Sequence, residues 1–273
     1  TAFMPKQVQT RKRLNRFWTC LCNMVHAKHS GLTALEENKL KILAVDCLTA
    51  MKAHKTFRVL SKELSLPAGV LNRYIHGYVM PKADRAEKVI SFFTKNYLTK
   101  LLESAKSRSS KFIVTAGILS QPFLLNVIAF NVRKAFASVI VNSRIDAVLT
   151  AAVDGVPLAT AVANLLSTKS IYAKRTQEIA FSDHYVSKGT AAKPIAAPFY
   201  LPRSLLKKND NVLIVDDVIR AGTTFDALMS ICNQAKANVV GIFALFITSS
   251  AYRELKKKHK VHYLILLEDS VTK

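Results

Sequence analysis

Val212-Leu-Ile-Val-Asp-Asp-Val-Ile-Arg-Ala-Gly-Thr-Thr224 decides how the rest of the chain is read. Four apolar, β-prone residues run into two adjacent carboxylates, Asp216 and Asp217. A loop of small and hydroxyl-bearing residues follows, with Arg220, Ala221, Gly222, Thr223 and Thr224 in order. Residues 225–235 then show the apolar spacing of an amphipathic helix. A buried strand, a loop and a helix in that order make an anion cradle. The first turn of a helix has unpaired backbone N–H groups and a partial positive charge. Gly222 lets the backbone approach an anion closely, and Thr223 and Thr224 add hydroxyl donors. Asp216 and Asp217, at the carboxyl end of the strand, are placed for sugar hydroxyls or, alternatively, for a divalent ion such as Mg2+.

Around this stretch the C-terminal part alternates between strand and helix. The pattern predicts strands at 112–115, 145–149, 170–173, 238–246 and 261–267, and helices at 121–141, 155–166 and 249–257. Residues 176–193 read as a long polar loop. Such alternation implies an α/β fold with a largely parallel sheet and helices on both faces. Ligands in such folds bind beyond the carboxyl ends of the strands.

The 212–224 stretch resembles the signature of type I phosphoribosyltransferases, which bind phosphoribosyl pyrophosphate (PRPP). The resemblance implies that Asp216 and Asp217 hold the ribose hydroxyls and that Arg220 to Thr224 hold the 5′-phosphate. Thr150-Ala-Ala-Val-Asp-Gly-Val-Pro157 resembles the pyrophosphate loop of that family, which implies a diphosphate role for Val153, Asp154 and Gly155. The family usually has two glycines where this chain has Asp154 and Gly155, so Asp154 adds negative charge beside an expected anion. Asp154 has a second reading, as a cap of the following helix. Lys174 and Arg175, after the next strand, are placed to reach the pyrophosphate, across a dimer interface as in the family. Residues 176–193 resemble the family's closing loop and contain Asp183, His184, Tyr185 and Lys188. A lone loop histidine is ordinarily not catalytic, and no catalytic residue is assigned. Tyr200 reads either as a stacking surface for a base or as a surface aromatic.

Residues 1–108 read as a basic helical domain and residues 109–273 as the phosphoribosyltransferase-like α/β domain. The shift to Ser and charge in residues 101–111, LLESAKSRSSK, marks the boundary. Lys6, Arg11, Lys12, Arg13 and Arg16 read as a basic arm or as the exposed face of a first helix, and Trp18, Leu21, Met24 and Val25 repeat at helical spacing. Leu35 to Met51 fits a further helix. Residues 57–64 form a short helix pattern, Ser65-Leu-Pro67 breaks it, and residues 68–76 form a second, stopped by Gly77. Two short helices over residues 57–77 joined by a tight turn are a helix-turn-helix. Asn and Arg suit bidentate contact with adenine and guanine edges. The predicted DNA-contacting set is Arg58, Leu71, Asn72, Arg73, Tyr74, His76 and Lys82, with Leu71 and Tyr74 in part turned inward. This run resembles repressor-type helix-turn-helix domains, in particular those fused to phosphoribosyltransferase domains in archaeal regulators.

Charge agrees with a polyanionic partner. The formal net charge is +22, with 20 Lys+Arg against 7 Asp+Glu in residues 1–110 and 20 against 11 in residues 111–273. The four cysteines, Cys20, Cys22, Cys47 and Cys232, are too few and scattered for a disulfide scaffold. Cys20 and Cys22 with His26 make at most a partial metal site, without a fourth ligand. No run of eighteen uncharged apolar residues and no signal-peptide pattern is present, which predicts a cytoplasmic protein without a membrane span.

Arg220 separates two readings. In 6-oxopurine phosphoribosyltransferases an Asp that serves the purine stands at this place, and arginine cannot accept a proton. The bacterial purine repressor has a basic residue before Ala-Gly. One reading is a homodimeric transcriptional regulator that binds double-stranded DNA and keeps the transferase-like domain as a sensor of PRPP or a related nucleotide or base. The other is an active phosphoribosyltransferase for orotate or a purine. The first accounts for the helix-turn-helix, the charge, Asp154 and Arg220, and the second only for the signature loop.

Overall fold

The computed structural model describes residues 33–105, 113–187, 197–220 and 223–269. The basic arm, the Trp18 to Val25 repeat, Cys20, Cys22, His26, Lys188, Ala221 and Gly222 lie outside the described residues, as does the side chain of Thr223.

Five strands form a parallel sheet: β1 (Ala147–Ala151), β2 (Lys169–Ala173), β5 (Asn211–Ile219), β6 (Asn238–Thr248) and β7 (Val261–Leu267). Their order across the sheet is β2-β1-β5-β6-β7. β1 passes outward to β2 on one side, and β5 passes through β6 to β7 on the other. The reversal therefore falls between β1 and β5, and the chain leaves a crevice where such strands part. Register pairing of β1 with β5 ends at Leu149 opposite Ile214, just before the carboxylates of β5. The fold class is α/β with a parallel sheet, as the alternation implies.

Helices cover both faces. The short α6 (Ala116–Leu119), α7 (Pro122–Ala135), α8 (Ala137–Asn142) and α9 (Val156–Leu165) precede the second half of the sheet, which adds α10 (Thr223–Ala235) and α11 (Ser249–Leu255). The predicted single helix over 121–141 is broken at Phe136, whose backbone leaves the helical region (φ −105°, ψ 16°). Phe136 is fully buried there, edge-on to His262 of β7 at 4.9 Å. Burial of a large ring against the sheet thus overrides helix continuity.

Two further expectations differ. No strand forms over the described residues of 112–115. The Val114 N–H donates to the Ala105 carbonyl at 3.1 Å, and Thr115 opens α6. The loop over 176–193 contains β3 (His184–Val186), which pairs antiparallel with β4 (Tyr200–Pro202). Lys174 and Tyr200 exchange backbone hydrogen bonds of 3.0 and 2.7 Å, which ties this small sheet to the end of β2.

Ahead of the sheet stand α1 (Ala34–Lys52), α2 (Phe57–Leu64), α3 (Ala68–Ile75) and α4 (Ala83–Phe93). A π turn at Thr94–Leu98 leads from α4 into α5 (Thr99–Ser104). α1 starts on a capping box, in which the Thr33 hydroxyl accepts the Glu36 N–H and the Glu36 carboxylate accepts the Thr33 N–H. α2 ends on Ser65 in the left-handed region (φ 54°), and Gly77 takes the same region (φ 72°) after α3, where glycine carries no steric penalty. The α2–turn–α3 pair matches the predicted helix-turn-helix. Its inner residues join α7, α9 and one face of the sheet in a continuous apolar core.

That core corrects two predicted DNA contacts. Leu71 is 0% exposed and Tyr74 3%. Tyr74 spends its hydroxyl inside the protein, accepting from Arg85 Nη1 at 2.9 Å. Neither side chain is available to a base edge, because both faces of a two-turn helix cannot be outward and Leu71 and Tyr74 bury α3 in the shared core.

Candidate anion site and exposed basic side

The carboxyl ends of β1 and β5 meet at a cavity of about 440 Å³ lined by Asp154, Asp216, Asp217, Arg220 and Thr224, with Ile113, Thr115 and Phe225 at its side. The strand β5 carries both carboxylates into the interior, where each is only 9% exposed. Thr150, at the end of β1, points its hydroxyl to Asp216 Oδ1 at 3.5 Å. Asp217 accepts the Thr115 hydroxyl at 2.9 Å and the Val218 N–H at 2.8 Å. Burial, and next the charge of Asp217, push the Asp216 carboxyl up to about 7. Asp217 is also raised, by burial first, with Asp154 adding to it and the Thr115 bond opposing it. Two buried carboxylates that face the cavity, each with further acceptor capacity, match a ligand that brings hydroxyl groups.

The loop after β1 supplies the other wall. Gly155 is buried, and a Cβ there would lie 2.1 Å from Thr150 Oγ1 and 2.5 Å from Asp216 Oδ1. Only a glycine lets this loop lie against the carboxylate. The N-terminus of α9 has Gly155 at its cap and no side-chain capping bond, so Asp154 does not cap it by hydrogen bonding. Asp154 instead lines the cavity, and Val153 is exposed at the loop tip. Arg220 sits at the cavity wall, at the foot of the thirteen-residue helix α10.

Lys174 and Arg175 are not brought to this wall. Lys174 pairs with Glu178 at 2.5 Å, while the Arg175 guanidinium stacks on Phe199 at 3.7 Å and donates to the Ala197 carbonyl. His184 lies in β3, buried, with Gln177 Nε2 3.1 Å from its Nδ1. Tyr200 is half-buried edge-on to His184 rather than open to a base. Among the described residues no group of three or more His, Cys, Asp or Glu side chains is arranged to hold a metal ion. A Mg2+ ion here would need ligand phosphates beside Asp216 or Asp217. Thr115 and Thr150 are site residues that sequence reasoning missed, since a single threonine carries no spacing signal.

The raised Asp216 carboxyl gives a signed pH effect. Its folded value lies above the unfolded one of 3.8, so its contribution to stability is full below about pH 4 and is lost as pH rises through about 7. Thermal unfolding followed across that range should therefore fall more steeply with pH in the wild type than in Asp216→Asn. Parallel profiles would show that Asp216 is ionised throughout.

On the helix-turn-helix, Arg73 of α3 and His76 at its C-cap are exposed and Asn72 is half-buried, on the side away from Leu71 and Tyr74. Arg58 of α2 and Lys82 ahead of α4 are exposed as well.

The family model for the phosphoribosyl transferase domain matches residues 116–271. The chain belongs to the phosphoribosyl transferase domain family. In sequence, this phosphoribosyl transferase domain protein is 33% identical over 166 residues to the probable purine biosynthesis transcriptional regulator PurR of Streptococcus pneumoniae, covering 59% of this chain and 58% of the relative. It is 24% identical over 131 residues to the xanthine phosphoribosyltransferase of Lactobacillus helveticus, covering 47% of this chain and 68% of that enzyme. The chain thus spans little more than half the length of the regulator it matches, and that regulator is bacterial rather than archaeal. In structure it is similar to the adenine phosphoribosyltransferase of Thermoanaerobacter pseudethanolicus, with TM-score 0.53 and 14% identity over 62% of this chain and 99% of that one. That likeness concerns the fold. Among the described residues no helix is long and apolar enough to cross a membrane.

Proposed function

We propose that the protein is a DNA-binding transcriptional regulator, acting in the cytoplasm as a homodimer, whose phosphoribosyl transferase domain binds PRPP or a related nucleotide as effector. The observation that carries this reading is the α2–turn–α3 unit, which keeps Asn72, Arg73 and His76 on its solvent side while its inner residues share a core with Leu213 and Val215 of β5, the strand that bears Asp216 and Asp217. The net charge of +22 and the similarity to a purine biosynthesis regulator support it. Residues 1–108 serve DNA and residues 109–273 the effector.

In this reading Asp216 and Asp217 accept the ribose hydroxyls. The loop of Arg220 to Thr224 and the positive end of α10 take the 5′-phosphate. The loop of Val153 to Gly155 and the N-terminus of α9 take the diphosphate, with Mg2+ entering alongside the phosphates. Paired protomers set two α3 helices in successive major grooves, about 34 Å apart on one face of the DNA.

Arg220, always protonated, offers no base for proton removal from a purine. The assay that decides between sensor and enzyme is pyrophosphate release from PRPP with each common nucleobase and with orotate. No turnover above the uncatalysed rate is expected, and steady turnover with any base would overturn the sensor reading.

Arg73→Ala should weaken binding to a selected duplex by about 1–3 kcal/mol and relax preference at one base position. Competition among single-base variants of the duplex measures this. An equal loss on every variant would place Arg73 on phosphate.

A further inference from the structure

We infer that Thr115 passes ligand occupancy at Asp217 to the helices that hold the exposed side of α3. The inference rests on the sensor reading above and names the residue through which the sensor acts.

Thr115 stands at the N-cap of α6, where a threonine ordinarily turns its hydroxyl onto the N–H groups of its own helix. Here the side chain makes no capping bond, and the Thr115 carbonyl takes the Ile118 and Leu119 N–H groups instead. The hydroxyl crosses to Asp217 Oδ2 at 2.9 Å, in a buried bond spanning 102 residues of sequence. Asp217 is one of the two carboxylates that face the cavity, and Thr115 lines the same cavity. A sugar hydroxyl that donates to Asp217 adds a third donor to a carboxylate already shared by the Thr115 hydroxyl on one oxygen and the Val218 N–H on the other.

Thr115 is also tied the other way. The neighbouring Val114 N–H donates to the Ala105 carbonyl at the end of α5, at 3.1 Å. α5 continues back through the π turn to α4, with Leu98 and Leu102 fully buried in the shared core. Asn131 of α7 grips Thr94 of the π turn at 3.0 Å. Arg85 of α4 then donates to the Tyr74 hydroxyl of α3 at 2.9 Å. Each link between the cavity and α3 is a hydrogen bond or a buried contact, and a close-packed interior transmits small displacements rather than absorbing them. Coupling requires that these contacts differ between the ligand-bound and free states.

The test measures two affinities in full-length wild type, Thr115→Val and Thr115→Ser. One is PRPP binding by calorimetry. The other is binding, with and without saturating PRPP, to a duplex the protein has selected from a random pool. In the wild type PRPP should change the duplex Kd by about 5–150-fold. Thr115→Val, brought to its own PRPP saturation, should bring that ratio close to one whatever its measured PRPP affinity, and Thr115→Ser, which restores the hydroxyl, should recover the wild-type ratio. A Thr115→Val ratio equal to that of the wild type overturns the role of Thr115 and leaves the sensor reading standing. Loss of PRPP binding in Thr115→Val also overturns it, making Thr115 a ligand-site residue only. A wild-type ratio of one, with both partners bound, overturns the sensor reading and this inference together.

Discussion

Replacing Gly155 by alanine is expected to weaken PRPP binding by about 10–150-fold, the worth of one hydrogen bond to a charged group at about 1.5–3 kcal/mol. The new Cβ would sit 2.1 Å from Thr150 Oγ1 and 2.5 Å from Asp216 Oδ1. Neither neighbour has room to yield, since Thr150 is fully buried at the end of β1 and Asp216 is held within β5. The backbone of residues 152–155 must therefore move away from the carboxylate. That movement carries the N-terminus of α9 with it and separates the two walls of the cavity. Calorimetric titration of Gly155→Ala with PRPP, beside circular dichroism to establish folding, measures the effect. A folded Gly155→Ala protein with wild-type PRPP affinity would place the ligand away from this wall.

The second large effect belongs to the core of the helix-turn-helix. Leu71→Ala removes a fully buried side chain and should lower stability by about 2–5 kcal/mol, read from denaturant unfolding. Leu71→Met, which conserves volume, should lose less than about 1.5 kcal/mol. Because α3 is held by Leu71 and Tyr74 rather than presenting them to DNA, Leu71→Ala should weaken binding on all duplexes alike without altering base preference. A variant of unchanged stability with altered base preference would return Leu71 to the DNA surface.

The contrast between these residues shows where sequence is informative. β5 and β7 are legible because each contains an apolar run, residues 212–215 and 263–267, bounded by polar residues. The helix-turn-helix is legible because Pro67 and Gly77 punctuate it. The inward direction of Leu71 and Tyr74 is harder, since two helical turns offer too few positions to fix the phase of the buried face. Phe136 breaks a helix with neither Pro nor Gly nearby in sequence, for reasons of packing on His262. β3 and β4 have three residues each and show no period. At the site, the paired carboxylates and Gly155 stand out as residue types. Thr115 and Thr150 do not, because they reach their carboxylates across 102 and 66 residues of chain. Within one protomer Lys174 and Arg175 turn to Glu178 and Phe199 rather than to the cavity, while the expected reach across a dimer interface involves a second copy of the chain.

The central claim is that the anion cavity and the DNA-binding helices form one thermodynamic unit. Linkage makes the coupling reciprocal, so the duplex must alter PRPP affinity by the same factor by which PRPP alters duplex affinity. The most direct measurement is calorimetric titration of the wild-type protein with PRPP, alone and saturated with its selected duplex, at fixed salt and Mg2+. The account requires the PRPP Kd to differ between the two titrations by about 5–150-fold. An unchanged Kd, with the duplex demonstrably bound, would contradict it.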